Sequence, residues 1–279
     1  MPLLVQDSEG EYLGRAHELV EGHYSVASSV FYEYKDWPSL VPPVGEWAYF
    51  IPSFLFGVSV VDVNMFYKFF FPALLFLFAY LLLKNLTRGS FFWSVVGALV
   101  ITIGFDFPSI HFLKKLLFDD FSGYVSPWTR PVNPITGMLL LTAYLIFIYR
   151  IYIGESRRYI LSGLLLGLSI GYLFSFVYAG IFTVLLILFR LIGPEKKRAW
   201  LIAAVLFVGA VGVLALLGPT VLDLLTGKVV GGLNDPRLQG LFYTRLPLLN
   251  KTSLLFTLVF SVFTWFAYWW KKEKLWLED

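Results

Sequence analysis

The chain has 279 residues, 58% of them hydrophobic and only 15% charged, with a mean hydropathy of +0.72. A soluble domain carries about 25% charged residues, so the composition excludes an ordinary soluble domain and points to one integral membrane bundle. Cysteine is absent, which excludes disulfide frameworks, thiol catalysts and thiolate metal sites. The net charge of +3 is small, so its placement matters more than its size.

In chain order, "DSEGEYLGRAHELVEGH" (7–23) holds the densest run of acids and bases. It reads as a short helix. Ser8 and Glu11 fit a capping box, and Gly22 fits the position just past the helix end. Glu11, Arg15 and Glu18 share one face, while Tyr12 and Leu19 line an apolar one. A solvated amphipathic helix is one reading. The sharper one makes Asp7 or Glu9 a catalytic base or metal ligand at the membrane surface. His17 and His23, six apart, do not align on one helical face for metal binding. "FYEYKDWPSLVPPVGEW" (31–47) is an irregular aromatic loop in which Trp37 and Trp47 anchor the chain at the interface. "EWAYFIPSFLFGVSVV" (46–61) is apolar but short, and Pro52 interrupts it. We read it as an interfacial helix lying along the outer surface.

A span needs about 20 mostly apolar residues. Segments 66–84, 91–105, 134–149, 200–218 and 253–270 qualify or nearly so. The apolar run 159–189 is too long for one crossing and reads as a tight helical hairpin turning near Phe174–Ser175. The fold class expected is therefore an all-α transmembrane bundle of seven crossings with external juxtamembrane helices. The domains expected are an external segment, 1–64, and a bundle, 65–279, with external loops near 108–133 and 218–252. Glycines 163, 167 and 171 form a stripe of small residues suited to helix packing.

Charge sets the orientation. The connectors near 84–90, 150–158, 190–199 and 271–279 hold Lys84, Arg88, Arg150, Arg157, Arg158, Arg190, Lys196, Lys197, Arg198, Lys271, Lys272 and Lys274. Those are twelve of the 22 Lys and Arg, all on one side of the bundle. The positive-inside rule makes that side cytoplasmic. The expected protein is thus a multi-pass protein of the cytoplasmic (plasma) membrane, with the amino terminus and long loops external and the carboxy terminus cytoplasmic. An external segment 1–64 without a signal sequence needs a delivery device, so we expect a further transmembrane helix upstream of Met1.

In the second outer segment, Asp119 and Asp120 could ligate a divalent cation, but a lone acidic pair is a weak signal and helix capping or solvation is the preferred reading. Arg130, in "WTRPVNP", sits at the membrane edge, where it suits a phosphate fork or a lipid headgroup. Arg237 and Arg245 flank an aromatic patch in the third segment and fit a phosphate headgroup or plain anionic lipid. The spans show almost no charge and hence no ion relay of the pump type. The motifs GxGxxG, GxxxxGK[ST], HExxH and GxSxG are absent. The basic patches are short membrane connectors, which argues against nucleic acid.

An acidic first segment, then "YLGRAHELVEGH", then "PPVGEWAYFIPSFLFGVSV" resembles the GT-C superfamily of polytopic glycosyltransferases, which use lipid-phosphate-linked sugars. The run 66–90 and the hairpin from Arg157 resemble the family's next span and mid-chain hairpin. The resemblance implies that Asp7 or Glu9, with Glu11 competing, is the acid of the first external loop, and that Arg15 is the arginine after it. By position, it offers Arg130, Arg237, Arg245 and Tyr12 to the lipid-linked substrate, and Asp119 or Asp120 as a second acid. It implies a polyprenyl-phosphate-linked sugar and membrane lipid as partners. The cofactor stays open, a divalent cation being the one the acids suit. The rival classes are a transporter or flippase for a lipid-linked substrate, and a non-catalytic membrane assembly subunit.

Overall fold

The computed structural model describes residues 9–24, 26, 41–87, 89–103, 128, 132, 134–192, 196–226 and 262. The chain divides into two units, 1–232 and 233–279, and every element below belongs to the first. Among the described residues all regular structure is helical. The helices are α1 (Glu9–Val20), α2 (Val44–Phe56), α3 (Val60–Leu86), α4 (Phe91–Ile103), α5 (Ile135–Ile153), α6 (Tyr159–Leu168), α7 (Leu173–Ile192) and α8 (Lys196–Leu225). A single 3₁₀ turn, Ser169–Gly171, follows α6.

α1 forms where its apolar side and its end signal agree. Ala16 and Leu19 are buried, and Tyr12, Leu13 and Val20 pack against the core beneath. The helix stops at Gly22, whose φ of 95° only glycine adopts without strain. Gly22 N donates to Leu19 O, and His23 N reaches back to Glu18 O at 2.9 Å. These are the paired bonds of a Schellman cap.

The expected interfacial helix 46–61 is two things. α2 ends at Phe56 because Gly57 turns left-handed, and α3 starts at Val60 because Ser59 caps it. Ser59 Oγ accepts from Asp62 N at 3.1 Å and donates to the Asp62 carboxylate at 2.6 Å. Residues 60–64, assigned above to the external segment, thus belong to the first long helix. α2 has 13 residues, about 20 Å at 1.5 Å per residue, well short of a bilayer core of about 30 Å. Pro52 has no N–H to give Ala48 O, four residues back. Tyr67 Oη on α3 donates to that carbonyl at 3.0 Å and ties the two helices together.

Four helices are long and apolar enough to cross a membrane: Val60–Leu86, Ile135–Ile153, Leu173–Ile192 and Lys197–Asp223. Two more expected segments are shorter apolar helices, Phe91–Thr102 and Tyr159–Gly171. Of the seventh, 253–270, only residue 262 is described. The hairpin tip sits at Ser169–Tyr172, a few residues earlier than expected, where the 3₁₀ turn gives way to an extended Tyr172. α8 runs on through Pro219 to Leu225, past the expected loop boundary at 218.

Glycines set the closest helix approach. A Cβ on Gly163 would lie 2.4 Å from Val208 Cβ, and one on Gly167 would lie 3.2 Å from Gly209 O and 3.3 Å from Gly212 Cα. The pairings advance together along both chains, so α6 and α8 are parallel. The small-residue stripe is helix packing.

The helix order brings like ends together. Arg190 at the end of α7 and Arg198 at the start of α8 both donate to Tyr152 O at the end of α5. Leu86, the last residue of α3, lines the same groove as Tyr149. The basic connectors after α3, α5 and α7 therefore share one end, as their charge suggested. At the other end α2 meets α5 and the hairpin tip: Gly45 abuts Val132 and Thr136, Gly171 abuts Val44, and Gly137 abuts Tyr172.

Candidate functional site at the α1–α2 end

Glu46 is the only charged residue of α2, and it is buried, with 5% of its side chain exposed. Its partner is Arg15 of α1, itself 12% exposed, with Nε 2.8 Å from Oε1. Nε lacks the alignment of a hydrogen bond, so the approach is an ion pair held by charge rather than by a directed bond. Glu46 occupies the first turn of α2, where the positive end of the helix dipole also favours a carboxylate. Its neighbour Gly45 fixes its position. A Cβ there would lie 2.6 Å from Val132 Cγ1 and 2.9 Å from Thr136 Oγ1, so the start of α2 is pressed on the start of α5.

The floor beneath the pair is aromatic and tightly bonded. Tyr49 is buried, stands edge-on to Tyr67 with centroids 5.1 Å apart, and accepts a bond from Val132 N at 3.1 Å. Val132 is itself fully buried, with a φ of 62°. That backbone is costly for a β-branched residue and persists only where surrounding packing enforces it. Here the bond to Tyr49 and the contact with Gly45 do so. Trp128 Nε1 donates to Ile101 O at 3.1 Å and ties the same segment to α4.

Beside the pair lies an open cleft of about 590 Å³ between α1 and the α2–α3 turn. Leu13, His17 and Val20 form one wall, and Ser53, Val58 and Val60 are among the residues of the other. Its lining is mostly apolar. His17 Nε2 is 3.3 Å from a Glu21 carboxylate oxygen on the exposed rim.

The carboxyl end of α1 gathers a donor set. One ligand atom each from Glu18, Glu21 and His23 lie within 4.8 Å of one another. Glu18 Oε2 is shielded from solvent and has no hydrogen-bond partner. Two carboxylates and an imidazole suit a divalent ion such as zinc or manganese. The Schellman turn makes the grouping, because left-handed Gly22 folds His23 back over Glu18. Helical spacing, which set His23 aside, does not apply beyond the turn.

Of the residues singled out from sequence, Arg15 lies at the site and Tyr12 packs against the core beside it. Arg15 pairs with Glu46 rather than with Glu18 of its own face. Glu9 opens α1. Asp7, Asp119, Asp120, Arg130, Arg237 and Arg245 lie outside the described residues, as do the side chains of Glu9 and Glu11. Sequence reasoning missed Glu46, although a single acid in thirteen otherwise uncharged residues is a visible signal.

No family model, curated protein or solved structure matches the chain.

Proposed function

We propose that the protein is a polytopic glycosyltransferase of the GT-C type, moving a sugar from a polyprenyl-phosphate donor to an acceptor hydroxyl at the outer face of the membrane. The observation that carries the proposal is the buried Arg15–Glu46 pair. Burying two charges is expensive, and a hydrophobic pair of the same volume is often more stable. Such a pair earns its place by fixing position. This one clamps α1 to α2 at one end of the bundle and so fixes the helix that Glu9 opens.

In this reading Asp7 or Glu9 takes the proton of the acceptor hydroxyl. The hydroxyl oxygen attacks the anomeric carbon, and the bond to phosphate breaks with its electrons on the departing polyprenyl phosphate. Arg130, with Arg237 or Arg245, neutralises that developing charge, the contribution that weighs most in such a step. Arg15 acts through Glu46 as a positioning residue. Where a divalent ion takes part, Glu18, Glu21 and His23 are the described donors that would hold it, and it would supply charge stabilisation of the phosphate.

The test is turnover of a radiolabelled polyprenyl-phosphate sugar by membranes carrying the protein, with Asp7→Asn and Glu9→Gln singly and together. The double variant is expected to lose at least two orders of magnitude, the usual contribution of a positioned base. Undiminished activity in it removes the proposed role. One observation favours a carrier instead: the helix break at Ser169–Tyr172, next to a buried Ser175 Oγ with no hydrogen-bond partner. Movement of labelled lipid across vesicles without sugar transfer would decide for that reading.

A further inference from the structure

The end of the bundle opposite the candidate site carries its own chemistry. Arg150, Arg157 and Arg158 are exposed, and Lys197 with them. The α5–α6 turn that carries Arg157 and Arg158 folds back on Arg150 in the last turn of α5: Glu155 N and Ser156 N both donate to Arg150 O, and Arg158 N donates to Ser156 Oγ. Glu155 is the one acid in that turn. Arg190 and Arg198 stand behind it, holding Tyr152 O, and the Arg190 guanidinium lies 3.9 Å over the Tyr152 ring. Lys84, at the end of α3, stands over the Tyr80 ring.

A groove of about 380 Å³ runs along the bundle surface between α3, α5 and α7 and reaches toward this end. Its walls are Leu82, Leu86, Leu141, Leu145, Tyr178 and Phe182, and Tyr149 lines it one residue before Arg150. Nearly all of this lining is apolar, and the helices forming it are of membrane-spanning length. A water-filled groove with such walls is unfavourable, and a hydrocarbon chain suits it. Seven described cations against one acid at the neighbouring end favour an anion on that chain.

We infer that the groove and the α5–α6 turn form a site for one anionic phospholipid. An acyl chain lies along Leu82, Leu86, Leu141 and Leu145. The phosphate headgroup rests on Arg150, Arg157 and Arg158. By the positive-inside rule this is a lipid of the cytoplasmic leaflet, at the end of the bundle away from the sugar chemistry proposed above, and it does not depend on that proposal. Clusters of four to eight basic residues just beyond membrane helices have this preference in general. The groove adds a fixed place for one chain, which a diffuse basic belt lacks.

The experiment is native mass spectrometry of the purified full chain, equilibrated with equal amounts of phosphatidylglycerol and phosphatidylcholine of matched acyl chains. One phosphatidylglycerol is expected to be retained in preference to phosphatidylcholine. The preference should fall about fivefold for each arginine neutralised in Arg150→Gln, Arg157→Gln and Arg158→Gln, since each basic group at a membrane surface is worth about that factor. The triple lysine replacement should keep most of it. Leu86→Trp, at a position already half exposed, should weaken retention of both lipids without touching charge. These are surface changes, and size-exclusion profiles check that the variants fold. Equal retention of the two lipids overturns the proposal, as does a preference that survives the triple glutamine variant. Full phosphatidylglycerol retention in Leu86→Trp overturns the groove, and displacement of the lipid by millimolar inorganic phosphate makes this a free-anion site instead.

Discussion

Glu46→Gln tests the clamp directly. The change keeps the side chain's size and deprives the nearly buried Arg15 cation of its Glu46 counter-charge. Removing one partner of a buried pair costs about 3–5 kcal/mol. Arg15 keeps 12% of its side chain exposed, so the lower end, about 3 kcal/mol, is the appropriate figure. α1 is peripheral and holds on through Tyr12, Leu13, Ala16, Leu19 and Val20. The cost should therefore appear as local release of α1 rather than as unfolding of the bundle. At about 1.4 kcal/mol per decade, amide hydrogen exchange over residues 13–23 should accelerate by roughly a hundredfold, with exchange in α5 unchanged. Arg15→Met with Glu46→Met should restore most of the protection, because an apolar pair of similar volume avoids the desolvation cost altogether. Exchange in Glu46→Gln within threefold of the parent would refute the reasoning. So would a double variant as open as the single one, since the fault would then lie in packing and not in charge.

The same substitution should act with opposite sign at two glycines. Gly163→Ala drives a methyl to within 2.4 Å of Val208 Cβ and should cost about 1–3 kcal/mol, whereas Gly180→Ala meets nothing within 4 Å and should stabilise α7 by about 0.5–1 kcal/mol; melting curves in detergent distinguish them. Tyr67→Phe strips the donor from Ala48 O and should cost about 1–3 kcal/mol, recovered in part by adding Pro52→Ala, which returns a backbone N–H to that carbonyl. Arg190→Gln removes both the cation over Tyr152 and its bond to Tyr152 O, and should lower stability by about 1–3 kcal/mol in the same assay.

Local signals read correctly from the sequence wherever a single element decides the outcome. The end of α1 at Gly22 is one case, because a Schellman cap needs only a residue free to take positive φ and an apolar run that stops. The gathering of basic connectors at one end is another, because charge in a short loop reports which side of the bundle that loop occupies. The α2–α3 boundary was as local, yet it was hidden. Gly57 and the Ser59–Asp62 cap lie inside a mostly apolar stretch, and in such a stretch hydropathy masks punctuation. The hairpin tip slipped for the same reason: nothing polar marks Ser169–Tyr172 more strongly than Phe174–Ser175.

The site shows where spacing arguments stop. Within α1, Arg15 has acids at i−4 and i+3, each worth only about 0.2–0.5 kcal/mol on a solvated face. Glu46 is 31 positions away and appears in no periodicity. But Glu46 sits in a helix whose other twelve residues are uncharged, and a carboxylate carried into apolar packing must find a cation or neutralise. Among the described residues before it, Arg15 lies on a helix whose opposite side is apolar enough to dock. The lone acid in an apolar segment, together with an arginine beside an apolar stripe, is therefore the pattern from which this contact follows. His23 teaches the complement. Helical phase excluded it as a metal ligand, and the left-handed residue before it cancels that phase, so candidates one or two positions past a C-terminal glycine should be judged by the turn and not by the helix.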